Sequence, residues 1–287
     1  MQIGIGLPST IPATEGTDVV RWARRAEERG FSSLGVIDRI VYDNYEPLIA
    51  LAAAAAVTER IRLATTILIA PYRANAALLA KQAASVDRLS GGRLVLGMAV
   101  GGRPDDYEAS GVPMDTRGAR FDEMIDEMKS IWAGESRGTV GAIGPRPPKG
   151  GPELIFGGTS EAAFRRAAAH GSGWIAGGAD PASLAEFADR VRAEWGRQGR
   201  DGDPRILALG YFALGPQAVV NARSYLPDYY GFMGVNPDIA ESMALTDPGS
   251  VRQAIDAFAA AGCDELVLFA CSAEPDQVDL LADAALG

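Results

Sequence analysis

The chain has 287 residues, 47% hydrophobic and 22% charged, which suits a soluble globular protein able to bury a sizeable core. Its formal net charge of −10 argues against a nucleic-acid or anionic-membrane partner, since both call for a surplus of Lys and Arg on one face. One histidine (His170) and two cysteines (Cys263, Cys271) exclude a zinc site built on several such ligands and any disulfide framework, so no metal is expected.

The N-terminus begins on an apolar run with no basic n-region or cleavage signal. Ile3–Leu7 reads as a strand ended by Pro8, and Thr17–Arg29 as a helix with Asp18 near its start and Gly30 past its end. Leu34–Ile37 is the second strand and Glu46–Thr58 the second helix. Within that helix the longest apolar run, Leu48 to Val57, is too short to span a bilayer, so a cytoplasmic protein is expected. Ile61–Ile69 is apolar throughout and predicts a strand buried on both faces. A helix over Ala74–Leu89, a strand over Leu94–Val100 and a helix over Thr116–Trp132 complete the first half. The second half alternates in the same way: strands at Glu153–Phe156, Gly173–Ala176, Arg205–Leu214 and Glu265–Ala270, helices at Ser160–His170, Pro181–Gln198, Ser250–Ala261 and Pro275–Ala285. Eight strands alternating with eight principal helices predict a parallel sheet closed into a (β/α)₈ TIM barrel, one α/β domain over residues 1–287 with short insertions at its C-terminal mouth. Two segments break the rhythm. Gly134–Gly151, rich in Gly and Pro, reads as a loop; Ser224–Leu245, with Tyr225, Tyr229, Tyr230 and Phe232, reads as a lid or interface element.

In such a barrel the loops after the strands build the active site. The residues there are Pro8–Thr10, Asp38 and Arg39, Ala70–Arg73, Gly101–Arg103, Gly157–Ser160, Gly177 and Gly178, and Cys271 and Ser272. The turn Gly157-Gly158-Thr159-Ser160 opens into a helix whose first N–H groups can hold an anion, and Gly177-Gly178 faces the same space. A tight βα turn with Ser or Thr as N-cap accounts for the same residues. Asp38-Arg39 is either a surface ion pair or a mouth-facing pair, and Arg73 and Arg103 are either solvated or set to neutralise an anionic ligand. Arg93, at the opposite end of its strand, reads as structural. His170 also reads as structural, a cation at a helix C-terminus. None of Lys81, Lys129 and Lys149 sits at a strand end, which weighs against a lyase or isomerase with a lysine base. No P-loop, nucleophile elbow or dinucleotide fingerprint occurs.

GFSSLGVIDR, ERIRLATTILIAPYR, LLAKQAASVDRLSGGRLVLGMAVGG, DDYEASGV and GCDELVLFACS together resemble the luciferase-like monooxygenase family, the stretch from Lys81 to Gly102 most specifically. The resemblance covers essentially the whole chain and implies the same barrel, with FMN or the deazaflavin F420 at its mouth. Carried over by position, it implies a flavin-backing bulge at Ile69 and Ala70 with a non-proline cis bond between them. It further implies phosphate-binding turns at Gly157, Gly158, Thr159, Gly177 and Gly178, an acidic residue, Asp38, at the ring end, and Gly101 and Gly102 along the ring. F420-dependent members often carry His where this chain has Arg39, and some carry Glu near Arg103, so the resemblance favours FMN over an F420-dependent dehydrogenase. It implies a monooxygenase acting on a small-molecule substrate with O₂ and reduced FMN from a separate flavin reductase, in a homodimer for which Leu48–Val57 is a candidate packing face. Arg39, Tyr72 and Arg103 are the candidate catalytic residues, set to stabilise developing negative charge. An F420-dependent hydride-transfer enzyme and a non-catalytic flavin-binding protein are the alternatives.

Overall fold

A computed structural model describes residues 1–287. The main strands are β1 (Gln2–Gly6), β2 (Ser33–Val36), β3 (Arg62–Ile69), β4 (Leu94–Ala99), β5 (Glu153–Gly157), β6 (Gly173–Gly177) and β7 (Arg205–Phe212); a two-residue β8 (Ala244–Leu245) is followed by β9 (Glu265–Ala270). Each main strand pairs in parallel with the next, β7 pairs with β9, and β9 returns to β1, so eight strands close a ring. β8 is an appendage that pairs only with the end of β7. The barrel is the one expected from the alternation.

The helices are α1 (Gly16–Arg29), α2 (Pro47–Ala55), α3 (Ala76–Leu89), α4 (Pro104–Ser110), α5 (Arg117–Ala133), α6 (Glu161–His170), α7 (Pro181–Arg197), α8 (Ala218–Tyr230), α9 (Pro237–Met243), α10 (Pro248–Ala260) and α11 (Asp276–Ala285). No helix is long and apolar enough to cross a membrane. Local chemistry sets several starts. Asn75, Ser160, Asp180 and Asp247 accept hydrogen bonds from the first N–H groups of α3, α6, α7 and α10. Pro stands in the first turn of α2, α7 and α10, where no N–H is needed.

The barrel interior is filled by Ala64, Val95, Ile155, Ile175 and Leu207, with Ile67 above them, and a larger core lies between strands and helices. Its N-terminal end is closed by the buried carboxylate of Glu265, which accepts from the hydroxyls of Ser32 and Ser33 and pairs with Arg62 and Arg205. Arg93 donates to Ser90 O, Ile61 O and Thr58 O, tying loops at this same end. Gly134–Gly151 lies here too, because it precedes β5. Lys81 donates to Gly144 O, and Pro148 packs over Gly92, so this loop takes no part in the mouth. His170 stands in the last turn of α6, as expected. Burial and the neighbouring Lys129, whose Nζ lies 3.4 Å from Nδ1, lower its pKa.

Candidate functional site

At the C-terminal end of the strands three connected hollows form the mouth. The central one, about 350 Å³, reaches from Asp38 and Ile69 past Gly101 to Gly158, Thr159 and Gly177. A side chamber of about 300 Å³ opens beside Tyr72 and Tyr107, and a groove of about 640 Å³ runs from Gly177 and Gly178 toward α10.

The wall at β3 and β4 depends on one glycine. The β3–β4 register slips between Thr65 and Leu68, a bulge at which Thr65 Oγ1 donates to Gly97 O at 2.7 Å. A Cβ on Gly97 would stand 2.1 Å from Thr65 O, so the two backbones approach this closely only with glycine there. The expected bulge is therefore present, but the expected cis bond is not. The one cis peptide is Gly144–Pro145, and Ile69–Ala70 is trans. Ala70 is fully buried behind that wall and does not line the cavity.

Asp38 is buried at the ring of strand ends. Its carboxylate accepts from the Ile69 N–H at 2.8 Å and pairs with Arg73 at 2.9 Å. Burial raises its pKa, and the Arg73 charge works against that rise. Tyr72 lies against it. Its hydroxyl is buried and faces the Asp38 carboxylate without a well-formed hydrogen bond, and burial and that charge push its pKa far up. A neutral, unpartnered phenol here makes Tyr72→Phe a mild change. The variant is expected to hold stability within about 1 kcal/mol of the parent in urea denaturation. A larger loss would reveal a firm bond to Asp38.

Arg39 is not free to meet a developing charge. Its Nε donates to Asp106 at 3.0 Å and its Nη2 to Asp105 at 2.7 Å and to Val41 O, so two carboxylates from α4 claim it and it lines none of the mouth. These partners lie 66 and 67 residues away, in a helix too short for the sequence to reveal. Arg103 does line both the central cavity and the side chamber. Its Nη2 donates to Tyr229 O at 2.9 Å and its guanidinium stacks 3.7 Å from the Phe232 ring centre.

The glycine turns divide in role. Gly157 serves packing, since a Cβ there would fall 2.0 Å from Ile67 Cδ1. Gly158 (φ +110°) and Thr159 are exposed on the cavity, and Trp174 Nε1 donates to Gly158 O at 2.8 Å, holding the turn. Gly177 and Gly178 are exposed, with open space where a Cβ would stand, as at Gly102. Tyr107 and Asp106 carry no signal of their own in the sequence, and Trp174 reads there as core packing, because a Trp after a glycine in a strand looks the same whether it packs or frames a site.

Ser224–Leu245 covers the mouth with α8 and α9. Tyr225 shares a hydrogen bond with Thr10 Oγ1 at 2.8 Å, and Tyr230 with Tyr211 at 2.7 Å. Tyr229 packs edge-on against Tyr230. Of these rings, Tyr229 and Tyr230 line the central cavity itself.

The model of the luciferase-like monooxygenase family matches residues 1–282. The chain belongs to that family. Relatives of this luciferase-like barrel include an uncharacterized protein of Mycobacterium tuberculosis, 34% identical over 209 residues, which are 62% of this chain and 72% of the relative. A second from the same organism is 33% identical over 173 residues, 57% of this chain and 61% of that one. Among solved structures, the fold is shared with a monooxygenase from Streptomyces bottropensis (TM-score 0.79, 23% identity, 100% and 99% of the two chains). It is shared also with an F420-dependent secondary alcohol dehydrogenase (TM-score 0.83, 19% identity, 99% and 98%). A third is the oxygenating constituent of 3,6-diketocamphane monooxygenase from Pseudomonas putida, in complex with FMN (TM-score 0.77, 17% identity, 98% and 96%).

Proposed function

We propose that this luciferase-like barrel is a flavin-dependent monooxygenase that binds reduced FMN at its mouth and uses O₂ to oxygenate a small organic substrate, the second oxygen atom leaving as water. The observation that carries the reading is the central cavity, walled by Ile69 and Gly101 at one end and bounded by the bare backbone of Gly158 and Gly177 at the other. Ile69, Gly101 and Gly102 would back the ring, and Gly158, Thr159, Gly177 and Gly178 would hold the phosphate, helped by the N–H groups of Glu161 and Ala162 that Ser160 leaves unclaimed at the start of α6. Reduced flavin supplies the two electrons and the activation of O₂. The protein's part is to orient the ring on the β3 bulge, to keep water out beneath the tyrosine roof, and to fix Asp38 between Arg73 and the Ile69 N–H.

The groove beyond Gly177 and Gly178 favours FMN over F420. Its walls are mostly apolar and carry Asp180 but no Lys or Arg, a poor track for a polyanionic tail. Anaerobic calorimetry of the protein with FMN, reduced FMN and F420 in turn tests this. Tight binding of FMN or its reduced form with no heat from F420 is expected. F420 binding alone would redirect the reading to hydride transfer, and bound flavin with no O₂ consumption under any substrate would leave a flavin-binding protein. In this reading a separate reductase delivers the electrons, and a coupled assay with a flavin reductase is the readout. We further propose a homodimer through α2 and α3, supported by exposed Ile49 and Leu78. Ile49→Glu is expected to halve the mass seen by light scattering; an unchanged mass removes this interface.

A further inference from the structure

The side chamber between Tyr72, Tyr107 and the Gly231–Gly234 tip has mostly apolar walls, two carboxylates that other arginines hold (Asp38 and Asp106), and one arginine without a salt bridge, Arg103. Three arginines are withdrawn from solvent at this end, Arg39, Arg73 and Arg103, against two buried carboxylates, Asp106 and Asp38. Asp106 answers Arg39, and its oxygens also accept from the N–H groups of Ile40 and Val41. Asp38 answers Arg73. The remaining carboxylates nearby, Asp105 and Glu46, are 48% and 37% exposed, so water screens them. Arg103 has no carboxylate within salt-bridge distance; Asp106, which borders the same chamber, is held by Arg39. The one protein acceptor of Arg103 is Tyr229 O, leaving Nε and Nη1 unclaimed at the chamber wall. Aromatic rings hold the guanidinium on one side and take it partly out of water, and this burial lowers its pKa. A guanidinium partly withdrawn from water, with donors still unclaimed, favours an anion that reaches it.

The apolar part of the chamber is equally specific. Phe232 and Met233, 53% and 67% exposed, stand between two glycines and line the chamber together with Ile69 and Tyr107. Exposed large apolar side chains at the lip of a pocket this small gain most by covering an apolar ligand. The chamber shares Asp38, Ile69 and Gly101 with the central cavity, so a molecule in it would lie beside a ring held there.

We propose that this chamber is the substrate subsite and selects a compact aromatic or alicyclic carboxylate, with Arg103 as its counter-ion and Phe232 and Met233 closing on its apolar body. The assignment of the chamber to substrate rests on the flavin reading above; its selectivity for an acid does not. The test is equilibrium binding of 2-naphthoate and of its neutral isostere 2-naphthamide, with and without FMN, to the parent protein and to Arg103→Gln and Phe232→Ala. The parent should prefer the acid at least tenfold. Arg103→Gln should abolish that preference and leave the amide within about threefold, while Phe232→Ala should weaken both alike. Should Arg103→Gln fold poorly, Arg103→Lys, which keeps the charge, is expected to retain most of the preference. Equal binding of acid and amide by the parent, or binding of neither, overturns the proposal. It is also overturned if Arg103→Gln weakens FMN but not riboflavin and leaves naphthoate untouched, because Arg103 would then serve the cofactor phosphate. FMN binding is read in the same titrations. Loss of the flavin reading with the acid preference intact, and loss of the preference with FMN still bound, are therefore separate results.

Discussion

Asp106→Ala is expected to cost about 3–5 kcal/mol of folding free energy, the usual penalty for removing one member of a buried ion pair. The carboxylate is buried and does three things at once. It pairs with Arg39 Nε at 3.0 Å and accepts the backbone N–H groups of Ile40 and Val41 at 2.9 and 2.8 Å. Removing it strands a buried guanidinium and two backbone donors together. The exposed Asp105 partner cannot replace it, because it reaches only Nη2. Arg39 also borders the Tyr42 and Tyr229 rings, so its release should loosen the tyrosine roof. Urea denaturation gives the stability, and the dissociation constant for FMN should rise in the variant even where it remains folded. A stability loss under about 1 kcal/mol would mean that Asp105 and solvent compensate, and the roof does not hang on this pair.

The second large effect is expected at Gly97. An added Cβ would meet the Thr65 carbonyl oxygen at 2.1 Å, a backbone atom that no side-chain rotation can move aside. Overpacking of a core costs about 1–3 kcal/mol where side chains absorb the strain, so Gly97→Ala should fall at or above the upper end of that range. The relief open to the chain is to undo the β3 bulge, and the bulge is what sets the Ile69 wall. The variant should therefore lose FMN affinity out of proportion to its stability loss. Calorimetry under conditions where the far-ultraviolet circular dichroism shows it folded makes the comparison. Unchanged FMN affinity in a folded Gly97→Ala protein would detach the bulge from the cofactor site.

The strands announce themselves because each is buried on both faces. Leu94–Ala99 and Glu265–Ala270 contain no exposed position, and such runs stand out from the amphipathic helices between them. Elements that owe their existence to tertiary contacts were not visible. Helix α8 contains Pro227, which argues against a helix in isolation, yet it holds because Tyr225, Leu226 and Tyr229 are buried against β7, β9 and the mouth. Helix α4 is a single short stretch whose Asp105 and Asp106 matter only through Arg39. The two-residue β8 forms because the end of β7 offers it an edge.

The same division runs through the site. The sequence alone determined the barrel, its closure and the strand-end positions that meet at the mouth, because strand count and alternation leave few other ways to bury these faces. It also determined which residue types stand there: Asp38, Tyr72, Arg103 and the exposed glycines. Tertiary structure decided which of those charges are spent and which are free. Arg39 and Arg103 look alike as strand-end arginines, but one is neutralised by carboxylates 66 and 67 residues on and the other finds only aromatic rings and a carbonyl. Charge is a property of a residue type, whereas a contact ion pair needs the two groups within about 4 Å and so depends on neighbours that only the folded chain brings together.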